Sequence, residues 1–183
     1  MRKSHLIVSV LLVFLTVSIV PAKPTKIETV KNIDLDRYTG TWYEIARMPN
    51  KHENGLVEVT STLKKVGRNK YMLISCGYKG SRSGEKKVVK GMVEIPDKNN
   101  TGNLKLKVFF FTVDFQIIDI DHKNYNYALV TSDGGKNLWI FSKSPVMNPR
   151  DYEKMMDSAR EKGFEVARLQ RVSQESNSAY AEG

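Results

Sequence analysis

From Gly40 onward the chain alternates apolar and polar residues in short runs broken by glycine, asparagine, aspartate and proline. A period of two marks half-buried strands, because successive side chains point to opposite faces. The pattern predicts strands at Gly40 to Met48, Leu56 to Val66, Lys70 to Tyr78, Lys86 to Ile95, Asn103 to Phe109, Asp114 to Ile120, Tyr125 to Thr131 and Asn137 to Lys143. Turn residues separate them at Gly67-Arg68-Asn69, Gly80 to Gly84, Pro96 to Gly102 and Asp133-Gly134-Gly135. The period then changes. Tyr152, Met155, Met156 and Ala159 recur at helical spacing, Asn148 can cap the helix, Pro149 suits its first position, and Gly163 ends it. A last short strand is expected over Phe164 to Val172. The order fits an all-β fold, an eight-stranded antiparallel up-and-down barrel with one C-terminal helix, about residues 148–162, packed outside. A β-sandwich with a terminal helix fits the pattern equally at this point.

The flanks read differently. Residues 1–22 resemble a secretory signal, with Arg2 and Lys3 at the charged end, an apolar run from Leu6 to Val20, and Val20-Pro21-Ala22 as a cleavage site. The run is shorter than the roughly 20 residues a membrane span needs. Residues 23–31 form a polar linker, 32–173 the barrel domain, and 174–183 a polar tail expected to be disordered.

Length and composition narrow the class. At 183 residues and 40% hydrophobic content the chain suits one domain with a sizeable core. Cys76 is the single cysteine, so no internal disulfide can form, and the signal offers no thiol to carry a lipid. The expected location is therefore secreted or periplasmic, with outer-membrane association without a lipid anchor as the alternative. Loss of Arg2 and Lys3 with the signal takes the formal charge from +9 to +7. Such a surface favours phospholipid headgroups, fatty carboxylates or nucleic acid, although solvation alone accounts for most surface lysines.

Three segments carry a resemblance. Gly40-Thr41-Trp42-Tyr43-Glu44-Ile45-Ala46-Arg47 follows Ile33-Asp34-Leu35-Asp36-Arg37-Tyr38. Asp119-Ile120-Asp121-His122-Lys123-Asn124 then precedes Tyr125-Asn126-Tyr127-Ala128-Leu129-Val130, and Leu138-Trp139-Ile140-Phe141-Ser142-Lys143-Ser144-Pro145 comes third. In this order they resemble the three motifs of the lipocalins, over roughly residues 31–173 and nearest the bacterial lipocalin and apolipoprotein D branch. The resemblance implies a barrel whose floor is Gly40, Trp42 and Lys143, with the cation packed across the indole. Arg is usual at that last position, and Lys143 lacks its planar fork. The resemblance also implies binding of a fatty acid or lysophospholipid, without catalysis and without a cofactor, in a branch whose bacterial members are linked to envelope stress.

Alternation sorts the strands into inward and outward sets. With Trp42 inside, Glu44, Ala46 and Met48 follow it; the second strand turns in Val57, Val59, Ser61 and Leu63, and the third Met72, Ile74, Cys76 and Tyr78. Val89, Gly91, Val93 and Ile95, then Leu104, Leu106 and Val108, come next. Asp119 outside would put Gln116, Ile118 and Ile120 inside, while Trp139 and Phe141 follow from Lys143. From these the expected ligand wall is Glu44, Ala46, Met48, Val59, Ser61, Cys76, Tyr78, Val93, Leu106, Val108, Gln116, Ile118, Trp139 and Phe141. For each of them, plain core packing is an equally good reading. Four loops at the open end, residues 49–55, 79–85, 110–113 and 132–136, carry Lys51, His52, Lys79, Arg82 and Lys136 beside Phe109-Phe110-Phe111. A basic rim of this kind suits an anionic head and membrane-surface contact.

Rival chemistries have thinner support. Gly80-Ser81-Arg82-Ser83-Gly84 misses the Gly-x-Ser-x-Gly elbow, and His52 and His122 fall at opposite ends of the barrel. An isomerase using an interior Cys76, or a barrel holding a tetrapyrrole, are the alternatives. Asp119, Asp121 and His122 lack calcium-loop spacing, so no metal is expected. A nucleic-acid barrel would expose aromatic residues that here point inward, so none is expected as a partner.

Overall fold

A computed structural model describes residues 27–175. The signal read at 1–22, the start of the linker and residues 176–183 of the tail lie outside the described residues. The strands are β1 (Gly40–Arg47), β2 (Leu56–Gly67), β3 (Lys70–Lys79), β4 (Lys86–Glu94), β5 (Asn103–Val108), β6 (Phe111–Ile120), β7 (Tyr127–Ser132) and β8 (Asn137–Ser142). Each pairs antiparallel with the next, and β1 closes the circle by pairing with both β8 and β2. Barrel closure is thereby settled over the sandwich.

Two helices flank the barrel. A short helix not foreseen from periodicity, α1 (Leu35–Tyr38), lies across the closed end, with Asp34 Oδ1 accepting from the backbone N–H groups of Asp36 and Arg37 at 3.0 and 3.3 Å. The second, α2 (Pro149–Glu161), starts where Asn148 Oδ1 accepts from the Arg150 N–H at 2.9 Å. Met155 and Ala159 are buried on its inner face, packed with Ile45, Ala46, Met48, Ile118, Leu129, Leu138 and Ile140 from the outside of the barrel wall. A separate cluster, including Trp42, Leu63, Leu104, Ile117 and Val130, fills the inside. The wall under α2 is thus apolar on both faces.

The C-terminal segment corrects the sequence reading twice. Instead of one strand from Phe164 to Val172 there is a 3-10 turn at Val166–Arg168 and a two-residue strand, β9 (Gln170–Arg171). The reason is spatial: β1 pairs with β2 only from Gly40 to Tyr43, and its freed edge at Ala46 and Arg47 accepts only this short partner. Gln174, placed at the start of the tail, is built into the wall together with Ser173. The Ser173 carbonyl accepts from the Glu58 N–H at 2.7 Å. Buried Gln174 donates through Nε2 to the carbonyls of Glu44 and Val59, at 3.0 and 2.9 Å. Gln174 therefore closes the gap where β1 and β2 part. At the other end of the domain, the Val30 N–H donates to the Ile117 carbonyl at 2.8 Å, so the last residues of the linker also lie against the barrel.

Candidate functional site

The floor assembles from the first and third motifs. Trp42 is buried at 2% exposure, its Nε1 donates to the Tyr38 carbonyl at 2.8 Å, and its ring stacks on Tyr38 with centroids 4.4 Å apart. Lys143 Nζ lies 4.3 Å from the indole centroid, donates to the Thr39 carbonyl, and approaches the Tyr38 carbonyl at 3.5 Å. Burial pushes the Lys143 ammonium down to about 8. Gly40 has φ +99°, and a side chain there would meet Lys143 Nζ at 3.2 Å, which accounts for glycine in the first motif. The second motif closes the same end. Asp121 Oδ1 accepts from the N–H groups of Lys123 and Asn124, at 3.1 and 3.2 Å, and Oδ2 from that of Asn126 at 3.3 Å. Asp119 instead binds Ser158 of α2. These two carboxylates therefore serve a turn and a helix contact, and no metal-binding group of His, Cys, Asp or Glu occurs among the described residues.

Above the floor is an apolar cavity of about 90 Å³. Leu63, Leu73, Val93, Leu104, Leu106, Ile117, Val130 and Phe141 form its sides, with Phe115 and Trp139 in ring contact at 5.8 Å between centroids. Its polar atoms are few. Ser61 and Ser75 share a hydrogen bond at 2.8 Å, and Glu53 enters from the β1–β2 loop.

Of the expected wall, Ser61, Val93, Leu106, Trp139 and Phe141 line the cavity. Val108 packs against the inner cluster, and Val59 is buried beside Gly77. The other assignments are corrected by backbone irregularities. A bulge between Glu44 and Ala46 reverses the alternation of β1, so Ala46 and Met48 face α2 while Arg47 turns inward. A second bulge, between Ile117 and Asp119, leaves Ile117 and Ile120 inside but sends Ile118 to the outer cluster. Gln116 stands on the face opposite Phe115 and Ile117, outside the cavity. In β3 both faces are apolar, and Leu73 and Ser75 are the inward pair. Cys76 and Tyr78 consequently face out, Tyr78 beneath the Arg82 guanidinium at 4.4 Å. The interior thiol that a lipocalin isomerase would use is therefore not in this cavity.

Glu44 does point inward, into a buried cluster that periodicity did not reveal. Arg47 Nη1 donates to Glu44 Oε1 at 2.7 Å, and Nη2 donates to the carbonyls of Glu53 and Leu56 at 2.6 and 2.9 Å. Glu53 Oε2 in turn accepts from Trp139 Nε1 at 2.9 Å and Asn50 Nδ2 at 2.6 Å. Burial, reinforced by the Glu53 charge and opposed by Arg47, pushes the Glu44 carboxyl up to about 8. Arg47 and Glu53 together latch the β1–β2 loop over one side of the mouth. The sequence signal was the charged pair Glu44 and Arg47 three residues apart in a strand, a spacing that alternation alone cannot turn to one face without a bulge.

At the mouth, Lys51, His52, Lys79, Arg82 and Lys136 are exposed on the expected loops. Three of them are engaged: Lys79 Nζ donates to the Asn54 carbonyl at 2.6 Å, Arg82 pairs with buried Glu58 at 3.4 Å, and Lys136 pairs with Asp133 at 3.1 Å.

Comparison with known proteins agrees with this architecture. Residues 33–174 match the Lipocalin-like domain family. The chain is 33% identical over 150 residues to the outer membrane lipoprotein Blc of Citrobacter freundii, covering 81% of this chain and 84% of the relative. It is 29% identical over 153 residues to the Blc of Vibrio cholerae, covering 83% and 89%. Insecticyanin from the tobacco hornworm Manduca sexta superposes with a TM-score of 0.69 at 22% identity, over 86% of this chain and 90% of that one. The floor, the three motifs and these matches make the chain a member of the lipocalin family, near its bacterial lipocalin and apolipoprotein D branch.

Proposed function

We propose that the protein binds a fatty acid or lysophospholipid tail-first in its barrel and carries or stores it without catalysis. The observation behind this reading is an apolar interior sealed at one end by Trp42 and open at the other to exposed Lys51, Lys79 and Lys136. Glu53 in the wall repels an anionic head, so the head stays at the basic rim. A cavity of about 90 Å³ is smaller than the ~150 Å³ that takes one benzene. Any ligand must therefore displace lining side chains, and a narrow, flexible acyl chain requires less displacement than a broad tetrapyrrole. The basic open end also suits contact with a membrane surface. The resemblance of residues 1–22 to a secretory signal supports a place outside the cell or in the periplasm. The similar proteins named as outer membrane lipoproteins support a place in the cell envelope.

Native mass spectrometry of purified protein, followed by lipid extraction, tests the ligand. Co-purifying fatty acid or lysophospholipid is expected. Failure to bind any amphiphile after delipidation sinks the proposal, and a coloured tetrapyrrole in the extract replaces it with the alternative ligand.

A further inference from the structure

The turn between β5 and β6 is Phe109-Phe110, and Phe111 opens the next strand. These rings are 95%, 99% and 74% exposed. Solvated phenylalanine at a hairpin tip is unfavourable, because each ring carries a large apolar area that water must surround. Neighbouring strand β4 adds to the patch. Continuing the Met92–Lys107 register brings Val89 level with Phe110 and Lys90 level with Phe109. Val88 and Val89 are themselves 46% and 48% exposed. Of the eight exposed large apolar side chains among the described residues, three are thus consecutive at this tip, and Val88 and Val89 stand on opposite faces of neighbouring β4. Lys86, Lys87 and Lys90 border it on the same strand, and the β3–β4 loop carries Arg82 at the same end. An apolar tip framed by cations, on a chain of formal charge +9, matches the boundary between anionic headgroups and acyl chains.

We propose that the Phe109–Phe111 tip is a bilayer-inserting anchor that seats the mouth of the barrel on an anionic lipid surface. This rests on the reading of the open end as membrane-facing, and adds which element enters the bilayer. The three rings dip to the level of the upper acyl chains while Lys86, Lys87 and Lys90 meet the headgroups. Docked in this way, the mouth opens onto the surface where an amphiphile resides, so a lipid can pass into the barrel with little exposure of its tail to water.

A tryptophan reporter on the tip distinguishes insertion from any other contact the chain makes. Full-length F110W is mixed with vesicles of phosphatidylcholine and phosphatidylglycerol, with and without brominated acyl chains, and its emission is corrected for the wild-type signal of Trp42 and Trp139. Blue-shifted emission quenched by the brominated chains is expected, weaker on phosphatidylcholine alone. F109S/F110S should sediment with anionic vesicles at least ~10-fold more weakly than wild type. Sedimentation with an unquenched F110W leaves basic-rim contact standing and overturns insertion. Equal binding to neutral and anionic vesicles overturns the role of the lysines. A wild-type dimer that becomes a monomer in F109S/F110S, with no vesicle binding, overturns the proposal in favour of a second copy covering the patch.

Discussion

Lys143 Nζ sits 4.3 Å above the indole of Trp42, and both side chains also reach toward the Tyr38 carbonyl that ends α1. The floor is therefore a knot joining the start of β1, the residue after β8 and the short helix. Trp42→Ala should cost about 3 to 5 kcal/mol in urea unfolding, through lost apolar burial and an unfilled space. Lys143→Arg should be neutral or stabilising, since guanidinium is more weakly hydrated and matches a ring face. Wild-type melting in Trp42→Ala would show that the indole is not part of the floor.

The same lysine gives a pH signature. Its folded-state value of about 8 lies below the ordinary 10.5, so between these values the unfolded chain binds more protons and stability rises with pH. The full penalty of burying the charge is present below pH 8. Melting temperatures of wild type and Lys143→Arg, compared from pH 7.5 to 10.5, should converge or cross as the wild type gains. Parallel curves would remove burial as the dominant influence on Lys143.

The strand count, the barrel floor and the helix were legible because each rests on local chemistry: alternation, Trp42 after Gly40, Asn148 before Pro149. The cavity wall was only half legible. Trp139 and Phe141 followed by alternation back from Lys143, whose place over Trp42 fixed the face of β8. Ala46, Met48 and Ile118 did not, because one extra residue at each bulge inverts every side chain beyond it. In β3, Met72, Ile74 and Cys76 are as apolar as Tyr71 and Leu73, so polarity could not choose the face. Gln174 was hidden for another reason. A polar side chain that satisfies two carbonyls in a wall gap looks, in sequence, like any residue of a solvated tail.

Glu44 should impose a pH dependence of opposite sign to that of Lys143. Its carboxyl is raised to about 8, above the ordinary 4.5, so across that interval the native state holds more protons than the unfolded chain and stability falls as pH rises. Its contribution is fully present below about pH 4.5 and lost through pH 8. Glu44→Gln keeps an acceptor for Arg47 but cannot titrate. Its melting temperature should fall less than that of wild type between pH 5 and 8, and an equal fall in both would reassign the slope to other groups.

The Glu53 latch should govern entry. Its carboxylate ties the β1–β2 loop to Trp139 of β8 by a charge-assisted bond that opening the loop must break, while the bond from Asn50 braces the loop internally. Glu53→Ala should speed stopped-flow association of a fatty acid by about tenfold, and it frees Trp139 to change its emission on binding. Unchanged association would mean that the ligand passes elsewhere along the rim.

Rim charge should act on capture more than on final affinity, because a head left in water keeps its hydration while moving down a favourable potential. Arg82 is a poor probe, since an acid there would face buried Glu58 and disturb the fold. Lys51 and Lys136 are better placed: both are exposed, and Lys136 makes only a surface pair with Asp133 at 3.1 Å. Lys51→Glu with Lys136→Glu should slow association of a fatty carboxylate about three- to tenfold at low salt, with the difference fading as salt rises. A long-chain alcohol, which has no charge to steer, should enter both proteins at the same rate. Equal slowing of both ligands would show that these loops act through shape, and unchanged rates for both would make the two lysines ordinary solvated surface.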